Sequence, residues 1–98
     1  MPKYVLAYRG GGMADPSEQE AEMARWGEWF GQLGAAVVDG GNPFGPSTTV
    51  GAESTPAGLT GYSIISASSL DDAAAAAGGC PILRNGGTVD VYETFDVG

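Results

Sequence analysis

The chain has 98 residues, 43% of them hydrophobic, with four basic residues against twelve acidic ones and a formal net charge of -8. That is one domain, with a core small enough to gain from association with a second copy, and a surface that repels phosphate backbones and anionic membranes. There is no histidine and one cysteine, Cys80. A Ser-His-Asp triad, a Cys-His pair, an internal disulfide and a zinc site of the usual kind are therefore excluded within one chain, and acid-base work falls to carboxylates and tyrosines.

Lys3 to Arg9 reads as a first strand, with Tyr4, Leu6 and Tyr8 on one face and Val5, Ala7 and Arg9 on the other. Both faces are largely apolar, which places the strand in the middle of a sheet. The opening Met-Pro-Lys-Tyr-Val-Leu-Ala-Tyr has a strand pattern rather than that of a signal peptide, and no apolar run approaches the roughly 20 residues of a membrane span, so a cytoplasmic location is expected.

After Gly10-Gly11-Gly12, the run Asp15-Pro16-Ser17-Glu18 offers an N-cap, a first-turn proline and an acid three residues after the cap. A helix is predicted from about Pro16 to Leu33, ended by Gly34, with Met23, Trp26, Phe30 and Leu33 as its buried stripe and Glu18, Glu20, Glu22, Arg25 and Glu28 mostly on the wet side. Trp26 and Trp29 lie near one another. Trp26 is assigned to the core and Trp29 to an aromatic wall. The triglycine loop lacks the spacing of a phosphate cradle, and Asp15 would repel a phosphate.

A second strand is predicted over about Ala35 to Gly40, then a loop from Gly41 to about Gly58 in which Thr48-Thr49-Val50 make brief strand contacts. A loop of that length points to function or disorder. Leu59 to Ala67 is a third strand, Ser69 caps a helix over about Leu70 to Ala77, and Gly78-Gly79 stops it. Asp71 and Asp72 suit its positive end. A turn at Asn85-Gly86-Gly87 leads to a last strand, Thr88 to Phe95, with Val89, Val91, Glu93 and Phe95 on one face. Cys80, between Gly79 and Pro81, reads as a small buried hydrophobe.

The order β-α-β-β-α-β is that of a ferredoxin-like α+β fold: a four-stranded antiparallel sheet with two helices on one face and the other face in need of a cover. Asp39 ends the second strand beside a loop, where its carboxylate would enter a cleft as a base or else cap the Gly40-Gly41 turn. Of Tyr8 and Arg9, one faces the helices and the other the open face, where a guanidinium would hold a ligand carboxylate or pair with an acid. Asn42, Phe44 and Tyr62 complete the candidate lining.

The runs Lys3-Tyr4-Val5-Leu6, Trp26-Gly27-Glu28-Trp29-Phe30 with Leu33-Gly34, Val38-Asp39-Gly40-Gly41-Asn42-Pro43-Phe44, Leu59-Thr60-Gly61-Tyr62-Ser63-Ile64-Ile65, Ser69-Leu70-Asp71-Asp72-Ala73, Gly79-Cys80-Pro81 and Val89-Asp90-Val91-Tyr92-Glu93 together resemble a YCII-related protein over nearly the whole length, as a single domain covering residues 1–98. The resemblance implies a dimeric α+β barrel, two subunits pressing their helix-free faces together around a cleft. Some members are thought to use a His-Asp pair, for which this chain offers only the aspartate, Asp39. The expectation is a homodimer binding a small organic molecule, with Asp39 catalytic and Tyr8, Arg9, Trp29, Asn42, Phe44 and Tyr62 binding the ligand. Its chemistry would be proton transfer of isomerase or lyase type, with no metal, cofactor, nucleic acid or membrane involved. The alternative is a non-catalytic binding or assembly module acting through its dimer surface.

Overall fold

The computed structural model describes residues 1–10, 16–51 and 58–97. Strand β1 (Lys3–Arg9) leads to a single 3-10 turn (Pro16–Glu18) and helix α1 (Gln19–Leu33). Strands β2 (Val37–Asp39) and β3 (Leu59–Ser66), helix α2 (Leu70–Ala77), a 3-10 turn (Pro81–Asn85) and strand β4 (Thr88–Glu93) complete the chain. The sheet is antiparallel in the order β2-β3-β1-β4. This is the ferredoxin-like α+β architecture expected from the order of elements. Among the described residues, no helix is long and apolar enough to cross a membrane.

Alternation along β1 does what the pattern requires. Tyr4, Leu6 and Tyr8 are buried under the helices, while Val5, Ala7 and Arg9 on the other face are half-buried. Tyr4 stands opposite Ile65 of β3 and Glu93 of β4, and Leu6 opposite Ser63 and Val91. With Trp29, Ala73, Ala77, Cys80 and Ile82 these side chains form the core. The Ser69 hydroxyl accepts from the Asp72 N–H at 3.1 Å, the expected cap of α2. The expected cap of α1 by Asp15 lies outside the described residues, as do Gly11 and Gly12.

Several expectations need correction. Met23 is 75% exposed rather than part of the buried stripe. The inward line of α1 runs instead through Trp26, Trp29 and Leu33, with Trp29 the fully buried member. Positions 26, 29 and 33 fall on one helical face, and Met23 flanks it. Trp29, at 4% exposure, takes the core place assigned to Trp26, and Trp26 is half-buried.

Strand β2 is shorter than expected because Gly34 turns the chain with a positive φ and Gly34–Ala36 form a 3-10 turn. Thr48 to Val50 form no strand. The loop meets the sheet instead through a bridge between Pro43 and Gly61, with the Phe44 N–H donating to the Thr60 carbonyl at 2.9 Å. β4 ends at Glu93, opposite Tyr4, with the Thr94 N–H still donating to the Lys3 carbonyl at 3.0 Å, and Phe95 is exposed. The turn at Pro81–Asn85 was not foreseen, although proline at its start and Gly86 in the left-handed region after it are its signals.

Candidate functional site

Two clefts open on the helix side of the sheet. The larger, about 820 Å³, lies between the N-terminal half of α1, the adjoining ends of β1 and β3, and the segment 40–44 that leaves β2. The smaller, about 360 Å³, lies between α1 and the segment that follows α2.

The position of segment 40–44 rests on Gly41. Its φ is +75°, and a Cβ there would stand 1.7 Å from the Tyr62 carbonyl oxygen, so only glycine lets the two backbones meet. This contact brings Asn42, Pro43 and Phe44 to the rim of the larger cleft. Gly61 does a related service from below, since a Cβ on it would crowd the Asn42 carbonyl at 3.2 Å and Pro43 at 3.3 Å.

The floor is a hydrogen-bonded chain. The Tyr8 hydroxyl donates to Ser63 Oγ at 2.7 Å, and Ser63 Oγ donates to the Gly40 carbonyl, also at 2.7 Å. Both side chains are buried, and burial pushes the Tyr8 phenol well above its ordinary value, so it remains a neutral hydroxyl. The wall is aromatic. Tyr8 meets Trp26 edge to face with centroids 5.2 Å apart, and Trp26 continues to Phe30 at 5.9 Å. At the rim Phe44 stacks on Tyr62 at 5.8 Å.

Among the described residues, Glu22 is the carboxylate that lines this cleft. Its Oε1 accepts from the Trp26 indole N–H at 3.2 Å and from the Asn85 amide at 3.1 Å, and its Oε2 accepts from Arg25 at 3.1 Å. These contacts tie α1 to the turn before β4 and hold the carboxylate on the cavity wall. Among the described residues, no lysine or arginine lines the cleft.

Of the residues singled out in the sequence, Tyr8, Asn42, Phe44 and Tyr62 come together here. Arg9 does not. It lies on the helix-free face and pairs with Asp90, Nε to Oδ2, at 2.6 Å. Trp29 lies under the other half of α1, where its indole N–H donates to the Ala76 carbonyl at 3.1 Å, and it borders only the smaller cleft. Asp39 is exposed at the end of β2, and its Oδ1 accepts from the Gly41 N–H at 2.8 Å, so it closes the Gly40-Gly41 turn. It does not border either cleft. Glu22, Trp26, Ser63 and Asn85 were not picked out as site residues. The spacing of Glu22 and Trp26, four apart on a helix, was the available signal.

No protein-family model matches the chain, and no curated protein matches it in sequence. Among solved structures it is similar to 5-chloro-2-hydroxyhydroquinone dehydrochlorinase from Burkholderia phenoliruptrix AC1100, in a complex with 2,5-dihydroxybenzoquinone, with a TM-score of 0.54 and 16% identity over 98% of this chain and 95% of that one. The likeness covers nearly the whole of both chains and is one of fold: this chain has a small ferredoxin-like α+β fold, two helices on a four-stranded antiparallel sheet.

Proposed function

We propose that the protein binds a small, ring-bearing organic molecule in the larger cleft, against the aromatic wall of Trp26 and Phe30 and over the Tyr8-Ser63 floor. The observation that carries this reading is the cleft itself: about 820 Å³ with an aromatic wall and a few convergent polar groups, which is how small-molecule sites are built. A protein of the same fold bound to a dihydroxybenzoquinone supports it. The reaction open to such a site is proton transfer of isomerase or lyase type, for which a positioned carboxylate suffices. Glu22 lines the cleft and is the first candidate to carry the proton. Asp39 takes that role only where a second copy closes over the β2 edge.

The protein works as a homodimer in this reading, the helix-free face of the sheet being covered by its counterpart. That face carries Val5, Ala7 and Ile64, half-buried in one chain, and apolar surface of this kind favours a second layer. Sedimentation equilibrium giving twice the 9.9 kDa chain mass supports the dimer, and a monomer mass removes it.

Binding is tested with 2-phenylethanol at millimolar concentration, following the two indole N–H resonances by NMR. Trp26 borders the cleft and Trp29 does not. A saturable shift of the Trp26 signal, larger than that of Trp29, is expected. Absence of any Trp26 shift overturns the small-molecule reading in favour of an assembly module.

A further inference from the structure

The lining of the larger cleft also has a sign. The whole chain holds four basic residues, Lys3, Arg9, Arg25 and Arg84, and none of them borders the cleft. Lys3 begins β1 at the end away from Tyr8. Arg9 is paired with Asp90, and Arg84 borders the smaller cleft. Arg25 reaches Glu22 from outside: its side chain is 38% exposed against 16% for Glu22, so water screens the guanidinium more than the carboxylate. A ligand carboxylate or phosphate placed in this cleft would lose its hydration and find no cation in return.

At the floor and at the Glu22 wall hydrogen-bond direction agrees with charge, while the Gln19 and Asn42 amides stand elsewhere on the lining. The Tyr8 proton is committed to Ser63, the Ser63 proton to Gly40, and the Trp26 N–H to Glu22. The Thr60 hydroxyl is turned to the carbonyls of Tyr8 and Gly10, both at 3.3 Å. What these groups still offer a ligand is acceptors: the lone pairs of the Tyr8 hydroxyl and the remaining lone pair on Glu22 Oε2. The Trp26 and Phe30 rings add faces that attract cations.

Resting on the cleft being the ligand site, we infer that it selects an aromatic amine, carried as its ammonium ion, over an aromatic carboxylate of the same size. The ring packs on Trp26 and Phe30, and the ammonium group donates to Glu22 and Tyr8.

The test compares 2-phenylethylamine, 2-phenylethanol and phenylacetate by the same Trp26 resonance at low salt. The amine is expected to bind about tenfold tighter than phenylacetate, a preference that shrinks as salt is added. In Glu22→Gln, which keeps the size and an Oε1 acceptor for Trp26 and Asn85 but gives up the contact with Arg25, the preference falls to less than about twofold. Phenylacetate binding as tightly as the amine to the native protein overturns the inference, and so does an undiminished preference in Glu22→Gln. If 2-phenylethanol binds but the amine shows no advantage, the charge selection fails and the cleft stands. If neither moves Trp26, the cleft reading fails and takes the inference with it.

Discussion

The two helices lie on the same face of the same sheet and settle differently. Helix α2 is an alanine run whose Ala73 and Ala77 are buried, and side chains that small let its backbone come down close over β1 and β4. Helix α1 is anchored at Trp29, and towards its N-terminus it meets the sheet through the Trp26 ring, which stands edge to face on Tyr8 and packs against Phe30. The larger cleft is the space those rings leave. Side-chain size along two helices thus decides which half of the sheet is sealed and which stays open to a ligand.

The strongest way to break this contrast is at Trp29, where the open helix is fastened to the closed one by the hydrogen bond to Ala76. Trp29→Ala removes a side chain only 4% exposed and that bond with it. A loss of about 3–5 kcal/mol is expected in urea unfolding, in the range for buried aromatic truncations. A loss below about 1 kcal/mol would mean that α1 is held elsewhere.

Overfilling the sealed side comes next. Ala73→Leu forces a larger side chain into a site with no exposed surface and is expected to cost about 1–3 kcal/mol. Met23→Leu, on the rim of the open side, should stay within about 0.5 kcal/mol of the native protein. Equal effects at the two sites would remove the distinction between the helices.

Cys80 tests the same seal through pH. It is buried where the segment after α2 begins, and burial pushes its thiol up to about 11 from the ordinary 9.0. A raised value means that the folded protein holds this proton longer than the unfolded one. The stability so gained is complete below about pH 9 and is lost as pH rises through about 11. Stability is therefore expected to decline over that interval and the decline to be smaller in Cys80→Ala. At pH 8 iodoacetamide should alkylate Cys80 far more slowly in the native protein than in urea, and equal rates would show the sealed side to be open.

Most of the scaffold is written in local pattern. Alternation through Tyr4, Leu6 and Tyr8 gives β1 and its buried face, and Ser69 with the acids after it gives the start of α2. The site is less legible. Trp26 and Trp29 are three apart, and helical spacing says that they are neighbours without saying which of them stands over the sheet and which over a void. Glu22 reads as a wet-side acid on a helical wheel, because nothing local shows that Asn85, 63 residues away, will meet it. Gly41 is one of 17 glycines in the sequence, and only the approach of the Tyr62 carbonyl distinguishes it. What the sequence hides is what depends on contacts distant in the chain.

The smallest expected effect concerns Asp39. Its carboxylate accepts one backbone N–H at an exposed turn, a bond that the amide oxygen of asparagine makes equally well. Asp39→Asn should therefore change stability by less than about 0.5 kcal/mol and leave 2-phenylethanol binding at Trp26 unaltered. Glu22→Ala, by contrast, strips the wall of the cleft and should weaken binding of 2-phenylethylamine. If Asp39→Asn weakens binding as much as Glu22→Ala, and does so only at concentrations where the protein is dimeric, the ligand lies between subunits at the β2 edge. The two carboxylates would then exchange the roles assigned to them. Running both variants over a range of protein concentration, with the mass followed by sedimentation, separates a cleft within one chain from a cleft made by two.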